Sequence, residues 1–96
     1  MENKAVVLIV DDVSSNVQTL AVMLKDFYQI KVATSGARAL ELATQEPIPD
    51  LVLLDVEMPE MDGYEVLKKL KATHETKNIP IIFVTGNDTA EEEEKG

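Results

Sequence analysis

Three short, unbroken apolar runs, residues 5–10 (AVVLIV), 51–54 (LVLL) and 79–84 (IPIIFV), constrain this chain more than any other feature. A strand wet on one side alternates apolar and polar residues, whereas an uninterrupted run fits a strand buried on both faces, as in the centre of a parallel sheet. Such strands need helices above and below, and the intervening segments supply them. After Ser14 and Ser15, residue types that suit an N-cap, Val17, Leu20, Ala21 and Leu24 recur at helical spacing, and this helix ends near Asp26. Gly36 opens a second helix with Ala37, Leu40 and Ala43 as its buried stripe, stopped by Pro47 and Pro49. Residues 64–72 put Val66, Leu67 and Leu70 on one face and leave Lys68, Lys69 and Lys71 to the wet remainder. A fourth helix begins at Thr89, which forms a capping box with Glu92. Residues 29–34 alternate through Ile30 and Val32, as an edge strand does, and Pro80 is tolerable near the start of the last strand. Strands alternating with helices predict an α/β fold with a parallel sheet and right-handed crossovers.

At 96 residues and 45% apolar composition, the chain can bury one modest core, so residues 1–96 read as a single domain. Without cysteine there is neither a disulfide framework nor a thiolate metal site, a composition that suits the reducing cytoplasm. The first apolar run is too short for a signal-peptide core or a bilayer span. A formal charge of −9 repels nucleic acid and anionic lipid, which leaves a basic protein face or a cation as the better partner.

In an open parallel sheet, ligands bind beyond the carboxyl ends of the strands. Asp11 and Asp12 follow the first run and Asp55 follows the third predicted strand, so these acids converge if the two strands are neighbours. Two unit charges about 5 Å apart repel by roughly 3 kcal/mol at an effective dielectric near 20, so the cluster calls for a proton or a cation. Magnesium, which is held by one or two carboxylates and keeps sites for phosphate oxygens, answers that need, and a carboxylate can itself attack phosphorus. Thr85 would offer its hydroxyl to a phosphoryl oxygen, with Gly86 leaving room beside it. Taken singly, an aspartate at a strand-to-helix turn is usually a cap. The three together, with Thr85, point to function, whereas Asp62 and Gly63 read better as a turn and a cap than as ligands. His74 lies in the polar loop ATHETKN and reads as an exposed loop residue; Met23, Met58 and Met61 read as packing or loop residues.

The segments VLIVDD, LVLLDVEMPEMDGYEVLKKLK and IPIIFVTG together resemble the receiver domain of two-component response regulators, over essentially the whole chain. The resemblance implies a flavodoxin-like, doubly wound parallel sheet of order 2-1-3-4-5. It implies that Asp55 accepts a phosphoryl group from the phosphohistidine of a sensor histidine kinase or a phosphotransfer protein. Magnesium would sit directly on Asp12 and Asp55, with Asp11 close by, often through water, and with the backbone carbonyl of Glu57. Thr85 would be the switch hydroxyl, and Pro59, Asp62 and Gly63 would shape the loop beside the site. It further implies a fifth strand with an aromatic switch residue, a phosphoryl-pairing lysine and a fifth helix; the sequence ends at Gly96 ahead of them, and Lys95 is a poor substitute for that lysine. Such a chain is a signalling switch rather than an enzyme, and at most it catalyses its own phosphorylation and dephosphorylation.

Two other readings compete. A phosphatase of the haloacid dehalogenase kind also uses an aspartate nucleophile and magnesium, but with a DxD pair after the first strand instead of adjacent acids. A degenerate or truncated receiver kept as an interaction module would lose a site acid, and here all are present, although the missing lysine keeps that alternative open. Without a fifth strand, residues 79–84 would form a bare apolar edge, which predicts self-association.

Overall fold

The computed structural model describes residues 4–84; Thr85, Gly86, the helix predicted from Thr89, and Lys95 lie outside the described residues. The elements run β1 (Val6–Val10), α1 (Ser14–Leu24), β2 (Gln29–Ala33), α2 (Gly36–Ala43), β3 (Leu51–Leu54), α3 (Gly63–Ala72) and β4 (Ile81–Phe83). All strand pairs are parallel and the sheet order is β2-β1-β3-β4, the first four places of the implied flavodoxin-like order. β2 lies at the edge, as its alternation predicted, and β1, buried at every position, lies inside.

Alternate side chains of each strand point to opposite faces. Leu8, Val10, Val52 and Leu54 pack with Ala39 and Ala43 of α2 and Val66 and Leu70 of α3. Val7 and Ile9 face the other way, onto Val17, with Leu20, Ala21 and Leu24 of α1 around them. The register sets the functional end of the sheet: Val10 stands opposite Leu54, so Asp11 and Asp55, the next residues on the two strands, emerge at one level.

Several local expectations need correction. Ser14 and Ser15 are not caps; the N-cap position falls to Val13, whose side chain bonds nothing, and the Asp11 carboxylate accepts from the Val13 amide instead. α1 ends at Leu24, short of Asp26. In α2 the buried stripe is Gly36, Ala39 and Ala43 with Leu40 half-buried, and Ala37 is exposed. Ser35 caps this helix by accepting from the Arg38 amide, and that start fixes the phase of the turn. α2 also stops before either proline, where the Lys31 ammonium donates to the carbonyls of Leu42, Gln45 and Pro47 at 2.6, 2.8 and 3.0 Å. A cation there satisfies acceptors that the end of a helix leaves without partners. α3 starts at Gly63 rather than at residue 64, and Met23, read as a packing or loop residue, is exposed on α1.

β4 is shorter than the apolar run. The Ile79 amide is taken by the Thr76 carbonyl in a turn, and Pro80, which has no N–H, enters the ladder only as an acceptor from the Val52 amide. Ile82 is 51% exposed, against the expectation of a strand buried on both faces, because it points to the side of the sheet where α1 covers β1 and β2.

Candidate functional site

The site forms where β1 and β3 run out. The Asp55 amide donates to the Val10 carbonyl and the Asp11 amide to the Ala33 carbonyl, so the ladder continues one residue past each strand and fixes both backbones. Carboxylate oxygens of Asp11, Asp12 and Asp55 all lie within 4.8 Å of one another. Asp11 and Asp55 are buried, whereas Asp12 is exposed.

Burial pushes the Asp55 carboxyl up from 3.8 to about 6, helped by the negative charge of Asp11 and, less, of Asp12 and Glu57; a hydrogen bond from the Glu57 backbone acts in the opposite sense. The cluster is thus electrostatically uncomfortable without a positive charge. Oxygen donors only, two of them buried and one open to solvent, make a donor set for a hard divalent cation.

The loop from Val56 to Asp62 is held against this cluster at several points. Asp62 is the N-cap of α3, its carboxylate accepting from the Glu65 amide at 3.0 Å, which bears out the reading of a cap. The Gly63 amide donates to the Val56 carbonyl at 2.8 Å. A side chain at Gly63 would run into the Asp55 carbonyl oxygen and stand 2.9 Å from Val56 Cα, so close approach to the backbone of the acid requires glycine here. Glu60 has φ of 65°, and the Met61 amide closes a tight turn onto the Pro59 carbonyl at 2.6 Å. That turn lays Met61 over Gly36 at the start of α2, where an added Cβ would meet Met61 Sδ at 2.8 Å. Val56, Glu57, Met58, Pro59, Asp62 and Tyr64 line a shallow open cleft beside the acids. Tyr64 packs on Phe83 with ring centroids 5.0 Å apart.

Residues 7–96 match the family model for the response regulator receiver domain. This chain belongs to that family. A probable cyclic di-GMP phosphodiesterase of Vibrio cholerae is 47% identical over 94 residues, which cover 98% of this chain and 21% of that protein. Response regulator PleD of Caulobacter vibrioides is 41% identical over 83 residues, covering 85% of this chain and 18% of that protein. The receiver therefore spans about a fifth of the length of these relatives. Among solved structures, the chemotaxis protein CheY4 of Vibrio cholerae superposes with a TM-score of 0.81 at 33% identity, covering 97% of this chain and 78% of that one. The Mn(2+)-bound form of response regulator Rcp1 gives a TM-score of 0.75 at 27% identity, covering 92% and 70% of the two chains.

Of the residues singled out from the sequence, the receiver brings Asp11, Asp12 and Asp55 together, places Glu57, Pro59 and Asp62 in the adjoining loop, and makes Gly63 the first residue of α3. Thr85 and Gly86 fall outside the described residues. His74 is exposed, as expected, and Met58 is packed in the core. Sequence reasoning missed Asn16, whose side-chain amide donates to Asp11 Oδ2 at 3.2 Å. Its signal was present, since an amide in the first turn of the helix after Asp11 can fold back onto that carboxylate.

Proposed function

We propose that this receiver takes a phosphoryl group onto the Asp55 carboxylate, from the phosphohistidine of a sensor histidine kinase or phosphotransfer protein, with magnesium held beside it. The observation that carries the reading is the convergence of three carboxylates at the carboxyl ends of two central strands. An Asp55 oxygen attacks phosphorus, the bond from phosphorus to the donor imidazole nitrogen breaks, and the electron pair leaves with the imidazole. Asp12 and Asp55 would hold the cation directly. Asp11, whose carboxylate lies within 4.8 Å of the other two, would reach the ion through water. The Glu57 backbone carbonyl would be a further ligand, and the hydrogen bond from the Glu57 backbone to the Asp55 carboxylate supports that reading by keeping this segment close to the acid. Magnesium supplies positive charge to the transferring group, which three acids by themselves repel. Pro59, Asp62 and Gly63 keep the loop in place, and Thr85 would follow the phosphoryl group as the switch hydroxyl.

The degenerate-module alternative is not favoured, since that reading predicts the loss of a site acid and all three are present together. Residues 1–96 act as one domain in this account, within the cytoplasm where the phosphodonor resides; no helix among the described residues is long and apolar enough to cross a membrane. Self-association through residues 79–84 rests on the exposure of Ile82, and a mass above that of one chain in light scattering is its expected sign.

The test of the site is intact mass after incubation with acetyl phosphate and magnesium, in the parent and in Asp55→Asn. A gain of roughly 80 Da in the parent alone assigns the phosphoacceptor. Equal gain in both chains moves the chemistry to another residue.

A further inference from the structure

The Asp11 carboxylate is held from two sides. Oδ1 accepts the Val13 amide at 2.9 Å, an Asx-type turn that starts α1, and Oδ2 accepts the Asn16 side-chain amide at 3.2 Å. Asp11 is 5% exposed and Asn16 is half-buried beneath the first turn of α1. A carboxylate accepts and never donates when ionised, so the amide nitrogen, not the amide oxygen, must face it. Each Asp11 oxygen keeps a lone pair for a further partner. The carboxylate plane is therefore fixed by protein donors before any cation arrives.

We propose that Asn16 is a positioning residue for the cation site, orienting Asp11 through Oδ2 so that its remaining lone pairs address the metal or a water on it. The inference rests on the proposed magnesium site and adds to it a residue outside the acids. One physical point favours an amide for this task. A neutral donor holds the Asp11 oxygens in place without bringing a positive charge into the cluster, whereas lysine or arginine at this position would compete with the cation for the same oxygens. The arrangement is that of a partner behind a metal ligand, whose loss typically weakens metal affinity tenfold or more.

The structural role of Asn16 in starting α1 and its role toward the cation are separable by experiment. Magnesium affinity is measured by calorimetry, and manganese affinity by loss of the free-ion EPR signal, in the parent, Asp55→Asn, Asn16→Ala, Asn16→Ser and Thr19→Gly. Thr19 lies on the exposed side of α1, its hydroxyl bonded to the Ser15 carbonyl away from the acids, so glycine there weakens the helix without touching Asp11. Metal-free thermal unfolding of each variant shows which are folded, and the serine variant, too short to reach Asp11, stands in if alanine fails. The expected result is a weakening of about tenfold for the Asn16 variants, with Thr19→Gly within about twofold of the parent. Unchanged affinity in the folded Asn16 variants overturns the inference, and so does an equal loss in Thr19→Gly, which would reduce Asn16 to a helix-starting residue. A parent that binds neither ion overturns the site reading itself, and the inference with it.

Discussion

The two ends of the sheet treat charge in opposite ways. At the amino end, Asp50, Lys31 and Lys71 each find partners in the backbone. Asp50 accepts from the Val6 amide at 2.7 Å while its own amide donates to the Val6 carbonyl, and Lys31 is shared among three carbonyls at the end of α2. Lys71 likewise donates to the carbonyls of Lys77 and Ile79, tying α3 to the approach to β4. At the carboxyl end, three acids are crowded within 4.8 Å and one is pushed well above its ordinary range. One end satisfies its polar groups internally and holds the fold together. The other concentrates negative charge at a cost in stability, as the proposed cation site requires.

The largest effect expected from this contrast is at Asp55. Its carboxyl titrates at 3.8 when unfolded and at about 6 when folded. Stability linked to this group is fully present below pH 3.8 and is lost as the pH rises to about 6, since the unfolded chain gives up the proton first. The difference corresponds to at most about 3 kcal/mol, less where solvent screens the group. Asp55→Asn removes it, so urea unfolding without metal should find this variant more stable than the parent at pH 7 by up to that amount, with the advantage vanishing near pH 3.5. Equal pH profiles for the two chains would mean that the acids do not strain the fold.

Gly63→Ala comes next, with a loss of about 2–3 kcal/mol in the same assay, because the new methyl meets the backbone of Asp55 and Val56. An alanine accommodated without cost would show that the loop is free to move away from the acid. At the amino end, Lys31→Met should cost about 1–2 kcal/mol by leaving three carbonyls without their donor, while magnesium affinity stays that of the parent. Any loss of affinity there would couple the two ends and blur the contrast. The smallest effect belongs to Glu60→Gly, which relieves a left-handed backbone at φ of 65° and should stabilise by under about 1 kcal/mol. A destabilised glycine variant would mean that the Glu60 side chain contributes contacts that outweigh the strain.

How legible each part was follows from whether its cause is local. β1 and β3 could be read because an unbroken apolar run has few other uses, and the acids at their ends followed from the rule for parallel sheets. The start of α1 could not be read from Ser14 and Ser15, because its cap comes from Asp11, a residue that also belongs to the site. Ala37 was taken for core because alanines at 37, 39 and 43 differ little in hydrophobicity, and only the cap at Ser35 sets which of them turns inward. Lys31 looked like the polar half of an alternating edge strand; its three acceptors exist only once α2 has packed back on β2. Asn16 was hidden for the same reason as Lys31, as a polar residue on a helix whose value lies in what it faces.

The claim that the acids at the carboxyl end strain the fold and await a cation meets its most direct test in a magnesium titration of unfolding free energy at pH 7, in the parent and in Asp55→Asn. The predicted result is a crossing: the variant is the more stable chain without metal, and the parent gains on it as magnesium rises, while the variant responds weakly. Parallel curves, with the parent no more responsive than Asp55→Asn, would contradict the claim that these three carboxylates form one cation site.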